Sequence, residues 1–404
     1  MNFLVINRAF NDIDHMTPVI YKLLKNGHKV NVLISNEYLD YENDYRLNFL
    51  KQNGAVIESA INYSKFKSFK FIFNILKKLY NSKNYNYWKK KISFALLERL
   101  SKRVNLLIDE YFKDKKIDVI IFDWTNPKGD NSVIKFIFEY AKKNNKVTFC
   151  IPHGLNIYYN DKITSNYKKS DFHDYNYFDY IVVNNEVYKN TLLKDGVEEK
   201  KLFVLGSARF SPEWIKINDE ISPKIKLEKT DKKILTFMPQ QAQYNIDLQA
   251  QVKLIEEINK LDNYLIYFKP HTRNQNEKFF DKVSKLKNVR MANNILSSQL
   301  IDISDGIIVY GSSIVLEATY KSKLVLYPKF LHKNETIFEK YNGCEKFESL
   351  DEIIKYLEKG LKKHYTKEDE KNTLIHSSNS NDSKNILQDY VEFFEDKYRE
   401  FNNV

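Results

Sequence analysis

Cysteine is almost missing from this chain: Cys150 and Cys344 are the only two among 404 residues. They lie far apart in sequence, so no disulfide framework or cysteine metal cluster organises the fold, and a reducing compartment is expected. Ten glycines and eight prolines are too few for a low-complexity or collagen-like chain. No run of about 18 uncharged apolar residues occurs, which argues against a membrane-spanning helix. The opening Met1 to Asn7 reads as a first strand without the charged start and long apolar core of a signal peptide, so a cytoplasmic location is expected. A period of 20 to 50 residues, the mark of a solenoid, is also missing.

What is present is a chain rich enough to bury two cores. Hydrophobic residues make up 43%, aromatics 14% and charged residues 29%, which excludes both wholesale disorder and a polytopic membrane protein. The length suggests two domains of about 200 residues. Short β-branched runs alternate with amphipathic stretches, the grammar of a doubly wound parallel sheet. In the first half, strands are expected at Phe3 to Ile6, Lys29 to Ile34, Ala55 to Glu58, Ile117 to Phe122, Lys146 to Ile151, Asp179 to Val183 and Lys201 to Leu205. Residues 7–15 read as a loop before a helix from Met16 to Asn26. The polar stretch 215–232, broken by Pro223, reads as a linker. Beyond it, strands at Ile234 to Met238, Tyr264 to Phe268, Val289 to Met291, Gly306 to Val309 and Leu324 to Tyr327 repeat the pattern. The expected architecture is therefore α/β: two Rossmann-like doubly wound domains, 1–214 and 233–380, facing across a cleft, with a C-terminal helix in 381–404.

Ligands of open parallel sheets bind outside the carboxyl ends of the strands, and the distinctive polar residues of this chain fall there. Gly311 follows the run Ile307 to Val309 and permits a sharp turn into a helix beginning near Ser312 and Ser313. Such a pair often does no more than cap a helix, yet hydroxyls and unpaired N–H groups at a helix start also suit a phosphate. Lys269 and His271 follow the strand Tyr264 to Phe268 and would face the same crevice. Across it, Asp12, Asp14 and His15 follow the first strand, Asp123 closes the fourth, and His153 follows the fifth. Gln240 and Gln241 follow Ile234 to Met238. Asp171, His173 and Asp174 have metal-like spacing, but they sit in a polar loop and are not read as a metal site.

Taken in order, Ile151-Pro152-His153-Gly154, Val204-Leu205-Gly206-Ser207-Ala208-Arg209-Phe210, Lys269-Pro270-His271 and Gly311-Ser312-Ser313 with Glu317-Ala318 resemble bacterial surface-polysaccharide glycosyltransferases of GT-B fold. That group includes capsule Kdo transferases, polysialyltransferases and teichoic-acid glycerophosphate polymerases. The resemblance implies transfer of a sugar from a nucleotide-activated donor to a growing surface polysaccharide or lipid-linked glycan. It implies that His271, Ser312 and Ser313 hold the donor phosphate and Glu317 the ribose. Pro239-Gln240-Gln241 with Asp247-Leu248-Gln249 is similar to the glutamine-rich segment of the capsule Kdo enzymes and favours a CMP-activated sugar. Thr272 stands where a second proline is usual. A CDP-glycerol-type glycerophosphotransferase and a non-catalytic nucleotide- or glycan-binding module are the alternatives. Lys269, His271 and backbone amides could stabilise a departing phosphate without a metal or other cofactor. The base that deprotonates the acceptor is one of Asp14, His15, Asp123 and His153.

The net charge of +11 is carried by one segment. Residues 65–103 contain twelve basic residues against the single acid Glu98, interleaved with aromatics. Within an insertion at 64–112, Lys77, Lys78, Trp88, Lys89, Lys90 and Lys91 are the candidates for an anionic membrane surface or acceptor, making the protein peripheral on the inner face of the cell membrane. A solvated helical face with a packed apolar side is the other reading. Nucleic acid is not expected as a partner, because no reading motif accompanies the charge.

Overall fold

The computed structural model describes residues 1–35, 41–59, 106–124, 127, 133–159, 176–225, 229–240, 244–270, 277–379 and 385–403. The expected pair of parallel sheets is present. The first holds β1 (Asn2–Asn7), β2 (Lys29–Ile34), β3 (Val56–Ser59), β4 (Val119–Asp123), β5 (Val147–Ile151), β6 (Tyr180–Val183) and β7 (Leu202–Val204) in the order β3-β2-β1-β4-β5-β6-β7. The second holds β8 (Lys233–Met238), β9 (Tyr264–Phe268), β10 (Val289–Met291), β11 (Gly306–Val309), β12 (Leu324–Pro328) and β13 (Glu345–Phe347) in the order β10-β9-β8-β11-β12-β13. Strand order reverses between β1 and β4, and again between β8 and β11, so each lobe has a switch-point crevice at its carboxyl edge.

Period-two alternation divides the first lobe's core. Phe3, Val5, Val119 and Ile121 face one layer of helices, while Leu4, Ile6, Ile120 and Phe122 face the other. The first of these layers includes the C-terminal helix Ile386–Asn402. Its Ile386, Leu387, Tyr390, Val391 and Phe394 are buried in the amino-terminal core, so the chain returns to the lobe where it began.

Two elements depart from the sequence expectations. The first helix starts at Phe10, not Met16, because the Asp12 carboxylate accepts the backbone N–H groups of Arg8 and Ala9 at 2.6 and 2.9 Å and fixes the first turn. Asp12, Asp14 and His15 therefore ride on a helix and not on a loop. The stretch 215–232 is helical as far as Ile221. Ser211 caps the helix Pro212–Ile221, and the fully buried Trp214 ties it to the first lobe. The helix Lys367–Ser378 ends on Asn379 in the left-handed conformation. Residues 60–105, which hold most of the basic insertion, lie outside the described residues. Among the described residues, no helix is long and apolar enough to cross a membrane.

The lobes meet where Gly206 passes beneath the end of the helix Lys367–Ser378. Ser207 N–H donates to the Ser378 carbonyl at 2.9 Å, and the Tyr390 hydroxyl donates to the Gly206 carbonyl at 3.0 Å. Gly206 has φ of +98°, and a Cβ there would lie 2.7 Å from the Ser378 carbonyl oxygen. Gly206→Ala should therefore lower stability by about 1–3 kcal/mol, read as a lower urea midpoint. Gly54→Ala, left-handed but with open space around it, should cost less.

Candidate functional site

The carboxyl edges of the two sheets enclose a cleft of about 320 Å³. From the first lobe it is lined by Asn11, Asp14, His15, Gly154 and Arg209; from the second, by Gln240, Lys269, Gly311, Ser312 and Ser313. Residues widely separated in sequence thus converge on one space. Gln241 and His271 lie outside the described residues, as do Lys77, Lys78, Trp88, Lys89, Lys90 and Lys91.

On the second lobe, Gly311 turns the chain with φ of +56°. Its carbonyl is held by the Tyr158 hydroxyl at 2.8 Å and by Gln240 Nε2 at 2.9 Å. Tyr158 reaches over from the first lobe, where the segment after His153 bonds the second lobe through Tyr159 N–H to the Glu335 carbonyl at 2.9 Å. Ser313 occupies the cap position of the helix Ile314–Tyr320 without making a side-chain capping bond. Among the described residues, Ser312 Oγ accepts only a long bond, 3.4 Å, from Ile314 N–H. Both hydroxyls are thus little used by the described part of the fold. Lys269 donates to the Asn293 carbonyl at 3.0 Å, and burial pulls its pKa down. Asp247, part of the glutamine-rich resemblance, caps the helix Leu248–Asn259 through bonds from Gln249 and Ala250 N–H.

Glu317 is buried behind the cleft-lining Arg209 and is not itself among the lining residues. Its side chain is 1% exposed and accepts from Arg209 Nη2 at 2.8 Å, with Lys321 Nζ at 3.6 Å. The expected ribose ligand is therefore committed to an ion pair. Arg209 in turn donates through Nε to Asp14 at 2.9 Å, and Arg46 Nη1 donates to the same carboxylate at 2.8 Å. Burial opposes the charge on Asp14, but the two guanidinium groups outweigh it and hold its pKa well below the ordinary carboxylate range. His15, beside it, is pushed down to about 3 by burial and stays neutral at pH 7.

The remaining candidates form a second cluster on the first lobe. Asp123 accepts Arg8 Nε on both carboxylate oxygens at 2.9 Å, and Arg8 Nη2 donates to it as well. His153 Nδ1 lies 3.1 Å from Asp123 Oδ2 and 3.9 Å from Asp12 Oδ1. Burial would raise the pKa of Asp123, but the bonds from His153 and Arg8 keep it low. Asp12 is raised to about 6 by burial and then by the charge of Asp123. Among the described residues, Asp12, Asp123 and His153 are the one His/Cys/Asp/Glu group compact enough for a cation, and the Arg8 guanidinium already neutralises its central carboxylate. Cys150 and Cys344 are both buried, and the Cys150 Sγ lies 3.4 Å from the Asp123 carbonyl oxygen; both serve as packing residues.

Sequence reasoning missed Arg8 and Arg46. Arg8 carried a usable signal in standing directly after β1, at the switch point. Arg46 lies within the helix Tyr45–Gln52, where nothing local separates it from any surface arginine.

No protein-family model matches the chain, and no curated protein matches it. Solved structures do. The chain is similar to UDP-GlcNAc 2-epimerase from Neisseria meningitidis bound to UDP-GlcNAc, at 15% identity and a TM-score of 0.61 over 98% of this chain and 100% of that one. It is similar to UDP-GlcNAc 2-epimerase from Methanocaldococcus jannaschii at 16% identity and a TM-score of 0.58, covering 93% and 99% of the two chains. The Anabaena protein HepE in complex with UDP-glucose matches at 11% identity and 0.58, over 98% and 100%. These likenesses run the length of both lobes and establish the GT-B-like fold.

The electrostatics predict a pH response. With His15 held near 3 against about 6.5 when unfolded, stability is lost as pH falls below 6.5, by about 1.4 kcal/mol per pH unit. Asp12, raised to about 6, acts oppositely: its protonation stabilises the folded state as pH falls from 6 towards 4. The two offset one another in that window. His15→Gln should therefore be less stabilised than the native chain at pH 7.5 and overtake it towards pH 4 in urea titrations; parallel curves for the two proteins would contradict the buried neutral imidazole.

Proposed function

We propose that this chain is a nucleotide-sugar-dependent glycosyltransferase. The observation that supports this reading is the meeting, across one cleft, of two complementary sets of groups. The second lobe contributes Lys269, the Gly311 turn and two hydroxyls with little structural employment. The first contributes His15 and Gly154 to the wall and, next to Gly154 in the chain, a histidine oriented by a buried carboxylate. Donor phosphate would sit at the first set and the acceptor hydroxyl near the second.

His153 is the base that the surroundings favour. Asp14 and Asp123 are each held by arginine and kept ionised with their lone pairs engaged, and His15 at about 3 is too weak a base. The His153 ring is 30% exposed and adjoins Gly154 in the cleft wall. In the step envisaged, His153 takes the acceptor's O–H proton, the oxygen bonds the anomeric carbon, and the anomeric C–O bond breaks with its electron pair going to the departing nucleotide phosphate. Lys269 and the Ser312 and Ser313 hydroxyls stabilise the charge that accumulates there. The similarity of Pro239-Gln240-Gln241 to the capsule Kdo enzymes favours a CMP-activated donor and a surface glycan acceptor, with the basic segment 65–103 at the membrane.

The test is a panel of CMP-, CDP- and UDP-sugars read first by thermal shift, since selective binding to the folded state raises the melting temperature, and then by transfer to glycan acceptors. Ser312→Ala and Lys269→Ala should each weaken donor binding about tenfold. His153→Ala should cut transfer about 100-fold or more while leaving donor binding intact. Epimerised donor formed without acceptor would replace transfer by sugar epimerisation. Nucleotide binding with no turnover of any donor would leave a binding module.

A further inference from the structure

We propose that Arg8 is a positioning residue that, through Asp123, sets both the tautomer and the proton affinity of His153. The inference rests on His153 being the base of the proposed reaction, but the geometry behind it is independent of any substrate. The Asp123 side chain is 1% exposed, and Arg8 grips both of its oxygens through Nε while Nη2 adds a further bond to Oδ2. A carboxylate so held is ionised and can only accept. The Nδ1 of His153, 3.1 Å away, must therefore carry the hydrogen of that contact. Nε2 is left with the lone pair a base requires.

Arg8 also controls how strongly His153 attracts a proton. Two carboxylates face the imidazole, Asp123 from the end of β4 and Asp12 from the first helix. Left uncompensated, they would stabilise the imidazolium and retain a captured proton. Arg8 cancels Asp123, and its backbone N–H donates to Asp12 at 2.6 Å. The other neighbours are His15, kept neutral by burial, and the Trp124 ring, edge-on at 6.1 Å between centroids, so no second cation among the described residues replaces Arg8 at Asp123. The arrangement has the logic of a buried carboxylate orienting a histidine, with the guanidinium added behind it.

The test uses the full chain and begins without substrate. In Arg8→Gln, the NMR titration of the His153 ring should move to higher pH by about one unit. The acidic limb of the kcat/KM profile should move with it. Arg8→Lys keeps the charge but loses the fork; its His153 titration should stay within about half a unit of the native one while kcat falls about tenfold. An unmoved titration in Arg8→Gln overturns the inference, as does a raised donor KM with an unmoved titration, which would make Arg8 a substrate ligand. If Arg8→Gln does not fold, unchanged kcat in Arg8→Lys is the overturning result. Failure of every donor to react would remove the transferase reading and leave the titration result standing.

Discussion

Arg209 sits between Asp14 of one lobe and Glu317 of the other, and the orientation of the two sheets depends on it. Its side chain is 7% exposed, and Glu317 is 1% exposed. Burying these charges is expensive, and removing one partner from such a pair leaves an uncompensated charge that costs about 3–5 kcal/mol. Lys321 extends the same network, bonding Asp219 of the first lobe at 2.7 Å and Asp302 of the second at 2.8 Å. Hydrophobic contact alone could have joined the lobes in several ways. Charges that must be paired admit few, and this pairing sets the two switch points opposite each other.

The ion pairs also explain why the cleft is divided as it is. With Asp14 and Glu317 absorbed in holding the lobes, the proposed proton chemistry falls to His153 and its carboxylates, and the proposed anion binding to Lys269 and the turn at Gly311. Neither set needs to reorganise much to meet developing charge, which is the condition under which fixed dipoles and charges are most effective. Tyr158 connects the two halves directly, reaching from the segment after His153 to hold the Gly311 carbonyl.

Much of this was legible in the residues, and what was not has a physical reason. Buried parallel strands are nearly continuous apolar runs, so β4, β5, β9 and β11 could be read directly, and with them the positions of Asp123, His153, Lys269 and Gly311. The start of the first helix was misplaced because Asp12 caps it from within the first turn, leaving no capping residue at position 9, which is alanine. The linker was overextended because Trp214 anchors a helix whose remaining face is polar. Glu317 looked available because the resemblance implies a ribose contact for it. Its actual partner, Arg209, lies 108 residues away in sequence, and ion pairs at that separation leave no periodic trace. Arg8 stands at the switch point directly after β1, but its partner could not be read there: it is Asp123, 115 residues later.

The returning helix Ile386–Asn402 has a consequence for how the molecule is made. The first lobe to leave the ribosome has an incomplete interior, because Tyr390 and Phe394 fill one of its faces and are translated only after the second sheet. The later-made lobe can close its own hydrophobic interior before the earlier one does. Completion of the first lobe's core therefore waits for the end of the chain, because the apolar face covered by Tyr390 and Phe394 is closed only when the last helix docks.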